Sequence, residues 1–200
     1  MLAFVPARAR RILDVGCGEG VFAAGLKRER SVEVWGIELD SNAAASAADK
    51  LDRVLIGDAV QCLADLAGGA FDCVVLNDIL EHLVDPEELL RGLKPKLAAG
   101  GCLVASIPNV RYFPHLWQLV VRGQWEYAAE GILDRTHLRF FTRYSLTALF
   151  GRCGYRLEQI EGIHPTGSWK FQLVNLLALG RWSDMRFLQF ACVAVPKEQE

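Results

Sequence analysis

Short apolar segments alternate with amphipathic segments along the first half of the chain. The apolar segments are RILDV, VEVWGIE, RVLIGD, FDCVVLN and CLVASIP, which begin at residues 11, 32, 53, 71 and 102. Runs of this kind are typical of strands that are buried on both faces of a parallel sheet. The segments between them have helical patterns, as in SNAAASAADKL, for which Ser41 is the predicted N-cap. The alternation predicts a doubly wound α/β fold, a mostly parallel seven-stranded sheet with helices on both faces.

The last part of the chain has a different pattern. Residues 109–142, NVRYFPHLWQLVVRGQWEYAAEGILDRTHLRFFT, are rich in aromatic side chains and carry two of the four histidines. We interpret them as an insertion after the fifth strand that forms a lid or substrate-binding segment. A helix that ends at Gly154, a strand, a helix and a final strand are predicted to follow. Because no repeat or linker interrupts the sequence, residues 1–200 are predicted to form one domain.

Composition and charge limit the classes of protein to which this chain can belong. The chain is 52% apolar and 23% charged with a net charge of −2, which is typical of a globular protein and gives no basic footprint for nucleic acid. The N-terminus lacks a secretory pattern, and no apolar run approaches the roughly 20 residues of a transmembrane helix. The six cysteines are scattered without a C-x-x-C pair, which predicts reduced thiols in a cytoplasmic protein.

Three glycines, Gly16, Gly18 and Gly20, directly follow the first apolar run. In a doubly wound sheet, a glycine-rich turn after the first strand lets a ligand approach the backbone, and the helix N-terminus favours a negative group there. A tight turn without a ligand is the alternative interpretation. The dinucleotide fingerprint G-x-G-x-x-G would need a third glycine where Val21 stands, so a nicotinamide or flavin cofactor is disfavoured.

Two acidic residues follow the next two strands. Glu38 ends the second strand, about 20 residues after the glycines, where a carboxylate can accept hydrogen bonds from both ribose hydroxyls. Asp58 ends the third strand, where it can accept a hydrogen bond from an adenine amino group. Either acid alone could equally be an ordinary solvated residue. Together with the glycines they indicate a nucleoside-binding edge of the sheet.

These motifs resemble those of class I S-adenosylmethionine-dependent methyltransferases. The matching stretches LDVGCGEG, GIELD, GDA, FDCVVLNDILEHL and HLRFFTRYSLTALFGRCGY lie between residues 11 and 155. The chain is most similar to the bacterial small-molecule branch, which includes quinone-ring and surface-glycan-associated methyltransferases. The stretch PNVRYFPHLWQLVVRGQW also resembles the methionine-biosynthesis protein W family. The resemblance implies a Rossmann-like fold and S-adenosylmethionine as the cofactor.

The resemblance also implies two groups of cofactor-binding residues. The methionine part of the cofactor would be held by Asp14, Gly16, Cys17, Gly18, Gly20 and Asn77. The adenosine part would be held by Glu38, Leu39, Asp58 and Ala59. Relatives usually carry one or two helices before the first strand that help to cover the substrate. Because about ten residues precede that strand here, the lid is expected to come from elsewhere or to be missing.

Methyl transfer to a hydroxyl acceptor needs a base, whereas transfer to a better nucleophile needs mainly alignment. The candidate bases are His137 and His82, and we predict His137; an ordinary packing or capping histidine is the alternative. Asp78, Glu81 and His82 are spaced to share one helical face. A similar group binds a divalent metal in some quinone O-methyltransferases, but here we predict an ion pair on the helix and no metal site.

The predicted function is therefore S-adenosylmethionine-dependent methylation, with oxygen as the expected target atom. The acceptor would be a small molecule, a glycan precursor or an isoprenoid ring, and the aromatic insertion is compatible with peripheral contact to a lipid-linked substrate. The alternative is a cofactor-binding regulatory or partner protein with little transferase activity, as in the methionine-biosynthesis protein W family.

Overall fold

A seven-stranded sheet forms the centre of the computed structural model, which describes residues 1–197. The strands are β1 Arg11–Val15, β2 Glu33–Glu38, β3 Arg53–Ile56, β4 Phe71–Asn77, β5 Leu97–Pro108, β6 Tyr155–Pro165 and β7 Phe187–Pro196. They lie in the order β3-β2-β1-β4-β5-β7-β6, and only β7 runs antiparallel to its neighbours. The predicted α/β fold with a mostly parallel sheet is confirmed.

Helices connect the strands. They are α1 Val21–Glu29, α2 Ser41–Ala48, α3 Ala59–Cys62, α4 Pro86–Leu93, α5 Phe113–Arg122, α6 Arg143–Arg152 and α7 Trp169–Leu177. Short 3₁₀ turns add Leu2–Phe4, Leu63–Asp65, Leu80–His82, Lys94–Lys96 and Ser183–Arg186. None of the helices within residues 1–197 combines the length and the apolar character that a membrane span requires.

The core lies on both faces of the central strands. Along β1, Leu13 belongs to one hydrophobic cluster and Ile12 to the other, and along β4, Val74 and Val75 divide in the same way. Successive side chains of a strand point to opposite faces, so both faces need apolar residues. This burial explains why the strands are almost continuously apolar in sequence. A third, smaller cluster joins α5, α7 and the Ser183–Arg186 turn.

Two predicted boundaries are wrong in detail. The N-cap of α2 is Asp40 rather than Ser41, because the Asp40 carboxylate accepts the backbone N–H groups of Asn42 and Ala43. Strand β5 begins at Leu97, before the glycine pair that was expected to precede it. Residues 98–101 form an irregularity in the pairing with β4, and Gly100 there has a φ of +72°.

All six cysteines are buried and free. Burial raises the pKa of Cys17, and likewise that of Cys192, to about 12. A thiol with so high a pKa carries almost no thiolate at neutral pH and is chemically inert. Cys17 and Cys192 therefore contribute apolar packing rather than thiolate chemistry.

The sheet topology brings the predicted site together. Strands β1 to β6 run in one direction, so their carboxyl ends meet at one edge of the sheet. In open α/β sheets ligands bind at this edge, where the strand order reverses between β1 and β4. The segment after β5, which contains α5, and the segment after β6, which contains α7, leave the sheet at the same edge.

Candidate cofactor and active site

The glycine-rich loop joins β1 to α1, and its three glycines have different structural roles. All three have positive φ angles, 71° at Gly16, 53° at Gly18 and 75° at Gly20. A Cβ atom at Gly16 would lie 2.8 Å from Ile79 Cδ1, and one at Gly20 would lie 2.6 Å from Leu51 Cδ1. At Gly18 a Cβ atom would have no neighbour within 4 Å in the described chain. Packing therefore requires glycine at positions 16 and 20, whereas Gly18 faces open space.

Glu38 is held against this loop by both of its carboxylate oxygens. Oε2 accepts the Gly18 N–H at 2.8 Å, and Oε1 accepts the Asp40 N–H at 2.9 Å. The loop is also tied to β2 through the N–H groups of Gly16 and Cys17, which both donate to the Ile37 carbonyl. Because a carboxylate has about four lone-pair sites, Glu38 keeps capacity for two further donors. This orientation suits the predicted contact with two ribose hydroxyls.

Asp14, the fourth residue of β1, is a buried carboxylate in the same region. Among residues 1–197 its Oδ2 atom has no hydrogen-bond partner. Burial, and secondarily the negative charge of Glu38, raise the pKa of Asp14 to about 7. A buried polar group without a partner is costly unless a ligand satisfies it. A positively charged group beside Asp14 would remove this free-energy cost. S-adenosylmethionine carries two such groups, an amino group and a sulfonium.

The residues predicted for adenine lie at the ends of β2 and β3. Leu39 is 73% exposed and follows Glu38 directly. Asp58 caps α3, with Oδ1 accepting the N–H groups of Val60 and Gln61, so its second oxygen remains for another donor. Ala59 is the first residue of α3, where the helix makes no use of the backbone N–H. These residues share the edge that carries Glu38.

Asn77 ends β4, and its side-chain oxygen accepts a hydrogen bond from Ser106 Oγ at 3.5 Å. The next residue, Asp78, has a left-handed backbone with a φ of +49°. Its N–H donates to the Ser106 carbonyl at 3.0 Å, and its Oδ1 accepts from Gln189 Nε2 at 2.7 Å. Asp78 is therefore fastened to β5 and β7.

The predicted helix face with Asp78, Glu81 and His82 is wrong. Only Leu80–His82 forms a 3₁₀ turn, and the left-handed Asp78 lies outside it. In the described part of the chain these three side chains form no ion pair with one another. An α-helix cannot begin at Asp78, because the sheet already binds both its backbone and its side chain.

Glu81 instead meets His137, which returns from the 109–142 segment. Their side chains are 1% and 6% exposed, and His137 Nε2 lies 4.0 Å from Glu81 Oε1. Neither Glu81 oxygen has a hydrogen-bond partner within residues 1–197. Burial, with a smaller contribution from the charge of Asp78, raises the pKa of Glu81 to about 8. The Glu81 carbonyl accepts the N–H groups of Leu138 and Arg139, which fastens the segment to this loop.

The hydrogen bonds of two histidines define which nitrogen is free. His137 Nδ1 lies 2.9 Å from the Ile132 carbonyl, so this nitrogen carries the proton. His82 Nδ1 lies 3.0 Å from Thr136 Oγ1, whose own proton is directed to Asp134 at 2.6 Å. His82 Nδ1 is therefore also a donor. Both rings keep a free lone pair on Nε2, and the rings meet edge to face at 4.7 Å.

Sequence reasoning singled out His137 and, separately, Glu81 and His82, but did not predict that these side chains meet. Ligand atoms of Glu81, His82 and His137 all lie within 4.8 Å of one another. A buried carboxylate beside two imidazole lone pairs can act in proton transfer, and the same donors suit a divalent cation. The sequence signal was the pair of motifs EHL and HLRFF, but nothing in either motif indicated that they meet.

Comparisons with known proteins agree with the fold and the motifs. Residues 2–160 match the model of a family described as a methyltransferase domain. The chain is 30% identical over 165 residues to the ubiquinone biosynthesis O-methyltransferase of Psychrobacter arcticus, an alignment that covers 78% of this chain and 62% of that relative. For the enzyme of the same name from Xanthomonas axonopodis pv. citri, identity is 32% over 173 residues, with coverages of 81% and 71%.

A solved structure supports the same conclusion for the fold. The S-adenosylmethionine-dependent methyltransferase from Archaeoglobus fulgidus superposes with a TM-score of 0.71 at 23% identity, covering 94% of this chain and 86% of that one. The chain spans about 62% of the length of the first curated relative. It belongs to the methyltransferase domain family, the class of S-adenosylmethionine-dependent enzymes that its sequence indicates.

Proposed function

We propose that the protein transfers the methyl group of S-adenosylmethionine to a hydroxyl oxygen of a small, lipophilic ring acceptor. The observation that carries the proposal is the cluster of Glu81, His82 and His137 next to the cofactor loop, in which the side chains of Glu81 and His137 are buried. Ile79, two residues before Glu81, packs on Gly16, so one short turn separates the cluster from the glycines. The names of the curated relatives, which are O-methyltransferases of ubiquinone biosynthesis, support oxygen as the target.

In this proposal the loop and the strand ends hold the cofactor. Asp14 would pair with the amino group of the methionine part, and the backbone at Gly18 would lie against that part. Glu38 would accept both ribose hydroxyls while its own position is maintained by Gly18 and Asp40. Leu39 would cover the adenine ring. Gly16, Cys17, Gly20, Asp58, Ala59 and Asn77 keep the roles predicted from the sequence.

The cofactor supplies a methyl group on a sulfonium, which is already activated for in-line displacement. His137 accepts the proton of the acceptor hydroxyl at Nε2, its free nitrogen. The hydrogen bond from Nδ1 to Ile132 keeps the ring in the required tautomer. Because its pKa is raised to about 8, Glu81 stabilises the imidazolium that forms only in the fraction of molecules in which it is ionised, a fraction that grows as pH rises. The 109–142 segment, fastened at Glu81, excludes water and aligns the acceptor, which is the larger contribution to the rate.

The same donors allow a second role for the cluster. Glu81, His82 and His137 would hold a divalent cation, which when bound would lower the pKa of the acceptor hydroxyl. We assign no metal to the cluster, and His137 accepts the proton of the acceptor hydroxyl. Chelation separates the two roles: turnover that survives EDTA supports the base, and turnover that is lost and then restored by Mg²⁺, Mn²⁺ or Zn²⁺ supports the cation.

The first experiment is calorimetric titration with S-adenosylmethionine and S-adenosylhomocysteine, with NAD as the control. We expect micromolar binding of the two adenosyl compounds and no heat from NAD. Methyl transfer is then followed with labelled cofactor and a panel of hydroxylated aromatic rings with and without an isoprenoid tail. Absence of adenosyl binding would overturn the proposal. Binding without turnover, together with a stable complex with another enzyme, would replace it by the regulatory partner role.

A further inference from the structure

Helix α7 exposes a continuous apolar face. Trp169, Leu173, Leu176 and Leu177 fall within an arc of about 100° on a helical projection. They are 68%, 50%, 72% and 76% exposed. The opposite side of the helix is also apolar, because Phe171 is buried there against Phe113 with ring centroids 5.6 Å apart. Only one of the two apolar sides of α7 is covered within the described chain.

The exposed face continues beyond the helix. Leu179 is 82% exposed with a φ of +54°, and Trp182 is 43% exposed. We define the α7 face as Trp169, Leu173, Leu176, Leu177, Leu179 and Trp182. Single exposed apolar residues are ordinary, but contiguous ones mark a surface that binds a partner.

Basic residues predominate in the segment that carries the α7 face, although the whole chain has a net charge of −2. Residues 165–187 contain Lys170, Arg181 and Arg186 and a single acid, Asp184. The Asp184 carboxylate is paired with Arg111 at 2.7 Å, so it does not oppose the three cations. The segment that carries the face is therefore positive.

We propose that the α7 face docks on an anionic phospholipid membrane. Leucine side chains would enter the boundary between headgroups and acyl chains, and the two tryptophans would lie at headgroup depth. Lys170, Arg181 and Arg186 would meet lipid phosphates and add electrostatic attraction to an anionic surface. Nine residues of helix are about 14 Å long, so α7 lies in the interface and does not cross the bilayer.

The charge favours a membrane over a second copy of this chain. In a two-fold symmetric dimer built on the α7 face, the same positive segments would meet one another. Like charges brought together across an interface oppose association. An anionic bilayer is complementary both to the leucines and to the cations.

The position of α7 relative to the cofactor loop explains what membrane docking would achieve. Because β6 runs parallel to β1 and β4, its carboxyl end and α7 lie at the edge of the sheet that carries the cofactor loop. A docked face would bring that edge close to the bilayer, where a lipophilic acceptor is concentrated. Access to a lipophilic acceptor rests on the proposed function, whereas the docking itself rests only on the α7 face and its charge.

The test is sedimentation of the full chain with lipid vesicles. Vesicles of phosphatidylcholine mixed with phosphatidylglycerol are compared with vesicles of phosphatidylcholine alone. We expect binding to the anionic vesicles that weakens as salt is added. The double substitution Leu176→Glu and Leu177→Glu should lower the partition coefficient by about tenfold or more, because charged side chains resist entry into the apolar layer. Tyr144→Glu on α6, where Tyr144 is 85% exposed, is the matched control and should retain binding.

Other results would overturn the membrane assignment of the α7 face or replace it. Equal vesicle binding by the wild type and the double variant would overturn the proposal, as would no binding by the wild type. A wild-type dimer in light scattering that the double variant converts to monomers, without vesicle binding, would assign the face to a second copy. Calorimetry with S-adenosylmethionine on the same samples tests the proposed function separately, since it reports the cofactor loop and not the α7 face.

Discussion

His137 Nε2 lies 4.0 Å from Glu81 Oε1, in a buried contact between two loops that are far apart in the chain. The imidazole keeps its free lone pair on the side of the carboxylate because its other nitrogen donates to Ile132. The carboxylate has no hydrogen-bond partner in the described residues and has a pKa near 8. A buried carboxyl group whose pKa is raised toward neutral pH beside an imidazole is typical of functional sites.

If His137 is the base, its removal should impair turnover and spare the cofactor site. We expect His137→Ala to lower the rate of methyl transfer by about 10²–10⁴-fold, the usual contribution of a positioned base. The affinity for S-adenosylmethionine should change less than about twofold, since the ring is not predicted to contact the cofactor. His164→Ala, a histidine at the end of β6, is the control. Full activity in His137→Ala would remove this residue from the chemistry.

Glu81 should make the stability of the protein depend on pH. Its pKa is raised from 4.5 to about 8, so between these values the folded state holds a proton that the unfolded state has released. The free energy of unfolding therefore falls as pH rises through this range, by up to about 1.4 kcal/mol per pH unit. Glu81→Gln cannot ionise, and its stability should fall less steeply than that of the wild type.

Urea unfolding at several pH values from 5 to 8 measures this slope. Asp14 contributes in the same direction, because its pKa is also raised, so the variant should keep part of the slope. Glu88→Gln, an exposed glutamate of α4, is the matched control and should retain the slope of the wild type. Parallel curves for Glu81→Gln and the wild type would contradict a buried, protonated Glu81.

Glu38 is expected to contribute to cofactor affinity more than to folding. Glu38→Ala removes the acceptor of two ribose hydroxyls and also releases the Gly18 N–H. Hydrogen bonds to a charged group contribute about 1.5–3 kcal/mol each, so the loss of two should lower the affinity for S-adenosylmethionine by about 10²–10⁴-fold. Calorimetry measures the affinity, and circular dichroism checks the fold. Glu33→Ala, at the other end of β2, should bind normally; unchanged affinity in Glu38→Ala would exclude the ribose contact.

Two glycines of one loop should respond differently to substitution by alanine. At Gly20 the new Cβ would meet Leu51 at 2.6 Å, so Gly20→Ala should cost about 1–3 kcal/mol of stability. At Gly18 the methyl group meets open space, so the cost is limited to the positive φ, about 1 kcal/mol. We expect Gly18→Ala to weaken cofactor binding more than Gly20→Ala does, because the methyl group projects where the cofactor would lie. Thermal unfolding measures the stability of both variants, and calorimetry measures their cofactor affinity. If Gly20→Ala weakened cofactor binding more than Gly18→Ala does, the backbone at Gly18 would not lie against the cofactor.

Local patterns in the sequence determined the elements and the outline of the cofactor site. The apolar runs predicted the strands because a strand buried on both faces has no polar side. The glycine loop, Glu38 and Asp58 could be located because each follows a strand directly, and parallel strands bring their carboxyl ends to one edge. Such features depend on neighbours a few residues away, which a linear sequence displays.

Tertiary packing decided what depends on distant partners. Asp78 was predicted on a helix, but its hydrogen bonds to Ser106 and Gln189 hold it in a left-handed turn. Glu81 meets His137 only because the segment after β5 folds back over β4, a contact that no local spacing encodes. Periodicity likewise predicted α7 but could not show which apolar side is covered, since both sides are apolar. The sequence by itself determined the strands, the helices and the cofactor edge. The packing of distant segments brought Glu81, His82 and His137 together and decided which face of α7 is exposed.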